Sequence, residues 1–474
     1  MYILYNFISK GGQTMDLFRK KTLDMIEDEG EHSGLKKNLR AIDLAALGIG
    51  SVVGTGIFVA TGEAAQAAGP AVIISFILAA LVSGFCALTY SELATMFPIA
   101  GSTYSYSYVA FGEFIAWIIG WDLMLEYVVS ASTVATGWSS TLVGLLSSYG
   151  ITLPHSLTTA TVSGGIMDLP AILITLFVTW VLYIGIKESA NMNNIIVGVK
   201  IVVILLFIFL GVTHVKLTNF HPFAPFGWQG IMYGASLIFF SYIGFDAVST
   251  AAEETKNPKR DVPLGLAICL IVVIILYVTI AFVLCGIVPF KNIDTNEALP
   301  AALRSIGINW GGAIVATGAI LGMISTLLVT LYGQVRIFMV MSRDGLLPPA
   351  FAALHKVHKT PHICTWITGL LCALLAGVLP LDILISLCNI GTLFAFILVS
   401  VGVIVLRKTM PNVERKFRCP WVPFTPVITI GLCLYFIYHY TMVTKVRFIV
   451  WLIVGLALYF VYGFKNSKLN KAVK

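Results

Sequence analysis

Apolar residues run along this chain in blocks of about 20, separated by short polar stretches. Twelve blocks fall at roughly 41–64, 70–97, 113–147, 169–186, 191–214, 229–252, 264–288, 311–340, 361–379, 382–406, 424–443 and 447–463. A block of that length crosses a bilayer as one helix. The block at 113–147 exceeds what a bilayer needs and is expected to tilt or project. Two blocks are interrupted at mid-depth. The first carries Val53-Gly54-Thr55-Gly56, and glycine weakens a helix interior by ~1 kcal/mol relative to alanine. The second is interrupted at Phe240-Ser241-Tyr242-Ile243-Gly244-Phe245-Asp246. A mid-membrane break exposes amides and carbonyls that lipid cannot satisfy, so it survives only beside a cavity or inside protein. Broken helices opening corresponding halves of a chain mark a transporter's binding site. The pattern predicts an all-α integral membrane protein of twelve spans. Inverted repeats of five spans each cover about 41–214 and 229–406, and two extra helices lie in 424–463. No sequence identity links the two repeats; their hydropathy layouts match.

Composition agrees. The chain is 58% hydrophobic and 11% charged, whereas soluble domains hold about 25% charged residues. The net charge of +7 invites a nucleic-acid reading, which its distribution excludes. With the N-terminus inside, 24 of the 30 lysines and arginines fall on the cytoplasmic side. The outer loops hold five (Lys216, Lys291, Arg304, Lys445 and Arg447), and Lys200 lies within a span. This is the positive-inside bias. Both termini, 1–40 and 464–474, are therefore expected in the cytoplasm.

The first residues, Met1 to Thr14, make a poor signal peptide. Lys10-Gly11-Gly12 fits a purine-rich codon run just upstream of Met15, like a bacterial ribosome-binding site before a start codon. Translation is expected to start at Met15; the alternative is a genuine N-terminal extension.

The second half of a broken helix presents free amides and a partial positive charge to the cavity, which suits a carboxylate. The first half ends in free carbonyls, which attract an ammonium. A zwitterion satisfies both breaks with backbone alone. Competing chemistries find little support. The eight cysteines lie singly without a CxxC pair, and the histidines lack metal-ligand spacing. No Walker motif and no nucleophile–base constellation is present, and the glycines around Gly48 lack dinucleotide spacing. No cofactor or metal is expected, and the chain is not expected to be an enzyme.

Several motifs stand together: Gly54-Thr55-Gly56-Ile57-Phe58, Tyr90-Ser91-Glu92-Leu93 with Pro98, and Gly101 to Tyr106. Further on come Gly120-Trp121-Asp122 with Glu126-Tyr127, Phe240 to Asp246, and Glu253-Glu254 with Asn257-Pro258. Arg260-Asp261-Val262-Pro263 and Ser342-Arg343-Asp344-Gly345 complete the set. From about Leu35 to the last helix, the chain resembles the amino acid–polyamine–organocation superfamily, most closely bacterial cationic amino acid transporters. The resemblance implies a midplane substrate site between spans one and six. Gly54, Thr55 and Gly56, with Val53 beside them, match the amides that meet the substrate carboxylate. Phe240, Ser241 and Ile243 match the carbonyls that meet its ammonium, with Phe240 as a gate.

Other polar residues have two readings each. Glu126, with Asp122 one turn earlier, lies mid-span, where ionisable groups cost ~2.5–3.5 kcal/mol on insertion scales. It is expected near the substrate, where it would pair with a basic side chain; the bland reading ties it to neighbouring hydroxyls. Asp246 either braces the unwound backbone or touches substrate. Glu92 is expected in an inner gate network, and the charges from Glu253 to Asp261 in a solvated loop with gating contacts. Tyr104, Tyr106 and Tyr108 alternate on an inner loop, as aromatics at the headgroup level do. Gly48 and Gly50 read as helix-packing positions.

Lys200 is the one basic residue among the apolar and glycine residues of Ile195–Leu210. Its stem could snorkel to the headgroups. The resemblance implies another role. Sodium-coupled relatives hold a cation between spans one and eight, and proton-coupled relatives place a span-five lysine there. Lys200 matches that lysine and is the expected proton-coupling residue. The resulting expectation is proton-coupled amino acid uptake across a bacterial plasma membrane, with substrate, protons and the lipid bilayer as partners and no nucleic acid. An obligate exchanger is the first alternative, and a non-transporting amino acid receptor the second.

Overall fold

Helix boundaries follow the polar punctuation. The computed structural model describes residues 17–21, 39–97, 102–185, 190–251, 255–358 and 360–472. The expected start at Met15, and Pro98, Gly101, Lys187, Glu253 and Glu254, lie outside those residues. Among the described residues the chain is helical, with two isolated bridges and no strand. In order come α1 (Ala41–Val52), a π turn (Gly56–Ala60) leading into α2 (Thr61–Ala68), α3 (Val72–Met96) and α4 (Ser102–Ala110). Then follow α5 (Glu113–Ser148), α6 (Leu169–Ile184), α7 (Ala190–Val212), α8 (Gly227–Ile238) and α9 (Ala247–Thr250). Next are α10 (Pro258–Ile287), α11 (Ala298–Ser305), α12 (Asn309–Arg343) and α13 (His362–Val378). Last come α14 (Leu381–Thr409), α15 (Phe424–His439) and α16 (Met442–Leu458), followed by short turns to Ala472.

Local chemistry sets these ends. Asp168 caps α6 by accepting from the Ala171 amide at 3.1 Å, and Gly185 closes the helix in the left-handed region at φ 87. α10 opens on Pro258, where the missing amide would be unpaired anyway. Among the described residues, seven helices are long and apolar enough to cross a membrane, and four more apolar helices are shorter. α5 runs 36 residues, about 54 Å at 1.5 Å per residue. Its excess length packs α4 and α16 beyond the bundle core.

α5 forms the spine, packed along α12 and α14, while α10 packs on α1 and α3. α7 leans on α1 and α12. Small residues let backbones meet: a Cβ on Gly265 would lie 2.8 Å from Leu44, and one on Gly48 2.8 Å from both Cys269 and Val248. All eight cysteines are free and buried within these contacts.

The tyrosine pattern is a correction. Tyr104, Tyr106 and Tyr108 lie on a helix, not on a loop at the headgroup level, and all are buried. Alternation does not describe a helix face, where residues four apart align. Tyr104 and Tyr108 stack edge-on at 5.7 Å, while Tyr106 turns the other way against Phe97.

Candidate functional site between two broken helices

α1 stops at Val52. Val53 is extended (φ −77, ψ 95), and helix resumes at Thr55 through the π turn. α8 stops at Ile238, tightens into a 3-10 turn over Phe239–Tyr242 and leaves the helix at Ile243 (φ −65, ψ 143). Gly244 follows at φ 106, a conformation that strains any residue with a Cβ. The two breaks touch through glycine. A Cβ on Gly56 would lie 2.5 Å from Ser241 Cα, and one on Gly244 2.6 Å from Ser51 Oγ.

The freed carbonyls find side-chain donors. Lys200 Nζ donates to the Gly50 carbonyl at 2.7 Å, and Tyr277 donates to the Val52 carbonyl at 3.1 Å. At the second break, Asn389 Nδ2 and Tyr440 donate to the Ser236 carbonyl at 2.8 and 2.7 Å. The amides at the start of the resumed helix, including Thr55 and Gly56, are its N-terminal donors and carry its partial positive charge. The side chains against the resumed helix are uncharged. Thr326 faces Gly54, Met323 accepts from the Thr55 hydroxyl at 3.2 Å, and Gly137 leaves room for Thr55.

Lys200 is fully buried. Besides Gly50 it donates to Thr326 Oγ1 at 2.8 Å, so its ammonium joins α1, α7 and α12. Gly322 makes space for the stem, since a Cβ there would lie 3.0 Å from Lys200 Cε. The ammonium therefore points to the first break, and the snorkelling alternative does not describe its position. Gly50, read from sequence as a packing position, supplies the carbonyl.

The amino acid permease family model matches residues 39–459. The chain is 48% identical over 461 residues to the branched-chain amino acid permease BcaP of Bacillus subtilis, covering 96% of this chain and 99% of that protein. It is 47% identical to the methylthioribose transporter of the same organism, again over 96% and 99%. It is 37% identical to the vacuolar cationic amino acid transporter 4 of Arabidopsis thaliana, over 84% of this chain and 68% of that protein. The chain belongs to the amino acid permease family.

The permease groups Glu126 and Asp246 together. On α5, Gly137 is the position that faces Thr55, and Glu126 lies eleven residues away, about 16 Å along the helix. Glu126 is buried with Thr392 as its hydrogen-bond partner and Asp246 as a neighbouring charge. Asp122, one turn earlier, abuts Gly391 on α14. The carbonyl of Asp246 accepts from the Ser249 amide and hydroxyl at 2.8 and 2.6 Å, bracing the unwound segment.

Side chains pair across both ends of the permease. At the end where α1 starts, Glu92 accepts two bonds from Arg407, at 2.9 and 2.7 Å, and one from the Cys419 amide at 2.8 Å. Arg415 Nε stands 3.2 Å from the same carboxylate. Residues 17–21 lie across this end: Lys21 pairs with Asp344 at 2.9 Å, and Lys20 donates to the Ala110 carbonyl at 2.8 Å. Gly112, at φ 96, gives the backbone at Phe18 room to pass. Glu113 accepts from Tyr108, Tyr459 and Ser467, tying α5 to the tail. At the opposite end the segment around α11 covers the resumed helix, with Gln66 donating to the Ile293 carbonyl at 2.7 Å. There Glu297 pairs with Arg304, and burial lifts its carboxyl above the usual range against that pairing.

Sequence reasoning missed Thr326, Tyr277, Asn389 and the pairing of Glu92 with Arg407 and Arg415. Their only local signal is a polar residue at an apolar position, and their partners are more than 100 residues away.

Proposed function

We propose that this permease imports neutral, aliphatic amino acids by proton symport across a bacterial plasma membrane. The observation that carries the reading is the buried Lys200 ammonium bonded to the end of the first broken helix. The proposed architecture has twelve crossings, a five-plus-five inverted repeat and both termini in the cytoplasm. The substrate carboxylate meets the amides of Gly54, Thr55 and Gly56 with Val53 beside them. Its ammonium meets the carbonyls of Phe240, Ser241 and Ile243, and the Phe240 ring closes over it.

Thr326 and Met323 bring no carboxylate to the first break and the Lys200 ammonium adjoins it, so a basic substrate side chain placed there would be buried beside a like charge; this favours an uncharged one. The names of the Bacillus relative and of a 34% identical Lactococcus lactis protein, both branched-chain amino acid permeases, support the same class. Protonated, Lys200 braces α1 against α7 and α12; deprotonated, it releases α1 and lets the inner end open.

The test is uptake into proteoliposomes of labelled leucine, isoleucine, valine, alanine, lysine and methylthioribose, with and without an inward proton gradient. Concentrative uptake of the branched-chain substrates only with the gradient is expected. Counterflow without net uptake would make the protein an exchanger. Preference for lysine would overturn the neutral-substrate reading, and preference for methylthioribose the amino acid reading.

A further inference from the structure

The start of α1 meets the start of α10 in a recess of about 430 Å³ whose lining includes three cations. Leu39 and Thr255 form a parallel backbone bridge, and the Lys256 amide donates to the Leu39 carbonyl at 2.9 Å. This bridge fixes Arg40 beside Lys256, and the first turn of α10 adds Arg260 to the same lining. Among the described residues, Asp261 is the one carboxylate in the lining. Arg40, Lys256 and Arg260 are exposed and make no ion pair among the described residues, whereas Lys259, next to Arg260, pairs with Glu414 at 3.6 Å. The amino-terminal end of α10 adds its partial positive charge to the three cations. Ile42 and Leu264 share the lining and stand 77% and 42% exposed. Exposed cations and exposed apolar side chains lining one recess match a phospholipid, with phosphate against the cations and acyl chains along Ile42 and Leu264.

We infer that this recess binds the headgroup phosphate of an anionic phospholipid in the cytoplasmic leaflet. The inference rests on the proposed cytoplasmic placement of this end of the bundle. The charges favour an anionic lipid over a zwitterionic one: Arg40, Lys256 and Arg260 outnumber Asp261 in the lining and Asp43, which accepts from the Arg40 amide at 2.9 Å, and leave net positive charge for the phosphate. Occupancy has a consequence for transport. The phosphate joins Arg40 on α1 to Lys256 and Arg260 at α10, so it holds the inner half of the first broken helix against its neighbour. Anionic lipid therefore stabilises the arrangement of that end described here.

Native mass spectrometry of the purified full chain tests this. Protein is equilibrated with mixed phosphatidylglycerol and phosphatidylcholine, and retained lipids are counted for wild type and the Arg40→Gln, Lys256→Gln, Arg260→Gln and Lys259→Gln variants. Wild type should retain phosphatidylglycerol preferentially. Each of the first three substitutions should weaken retention about fivefold, while Lys259→Gln leaves it unchanged. Equal weakening in Lys259→Gln, or none in the other three, overturns the site. Displacement of the lipid by about 10 mM inorganic phosphate would show a free-anion site and overturn the lipid assignment. Leucine-induced thermal stabilisation, measured in parallel, should persist in every variant and reports folding. Its absence in wild type would count against the transport reading alone, because lipid retention is read separately.

Discussion

Lys200 Nζ lies 2.7 Å from the Gly50 carbonyl oxygen, across 150 residues of chain. The bond fills one of the carbonyls that the end of α1 leaves free, and the Thr326 hydroxyl takes a second proton of the same ammonium. Removing the charge leaves a buried carbonyl and a buried hydroxyl short of a donor. Lys200→Met is expected to abolish gradient-driven accumulation, by at least about tenfold, while the protein still inserts and binds substrate. Uptake in proteoliposomes at several external pH values checks this. Accumulation with wild-type pH dependence in Lys200→Met would remove the lysine from coupling.

Gly56 has no space for a side chain, because Ser241 Cα occupies the place of its Cβ. Gly56→Val should abolish substrate binding and lower stability by about 1–3 kcal/mol through overpacking. Substrate-induced thermal shift in the purified variant is the measurement. Wild-type affinity there would separate Gly56 from the substrate.

Phe240 is buried in the 3-10 turn at the second break. Phe240→Ala should weaken occlusion, raising the half-saturating substrate concentration several-fold and speeding release, since a lost ring admits water. Unchanged transport kinetics would count against the gate.

Glu126 is grouped with Asp246 and Thr392, well along α5 from the first break. Glu126→Gln should therefore depress uptake of all amino acids to the same degree. Selective loss of lysine or arginine uptake would instead restore the basic-substrate role that its sequence position suggested.

Asp168 caps the start of α6. Burial lifts its carboxyl to about 6, opposed by the bonds it accepts from Ser139 at 2.6 Å and the Ala171 amide. A carboxyl raised above its unfolded value contributes stability at low pH that is lost as pH rises through the folded value. Melting temperature should fall between about pH 4 and about pH 7, and Asp168→Asn should flatten that part of the profile. An identical profile in the variant would show that Asp168 does not contribute.

What the sequence determined by itself is what short-range physics encodes. Apolar block length predicted helices, glycine and the polar interruption located both breaks, and the lone lysine among apolar residues marked Lys200. Each signal is local, because helix hydrogen bonds close within four residues and lipid tolerates no unsatisfied backbone. Only the tertiary structure decided who satisfies whom. The distance between Lys200 and Gly50, the contact of Gly56 with Ser241, and the convergence of Arg407 and Arg415 on Glu92 all join residues more than 100 positions apart. Such pairings depend on how helices cross, which apolar patterning leaves open. The tyrosines of α4 show the same limit: alternation suggested a loop, and packing against Asp344 and Glu113 made a buried helix. Glu126 shows it in depth, since a carboxylate inside a span announces function without saying which level of the bundle it faces.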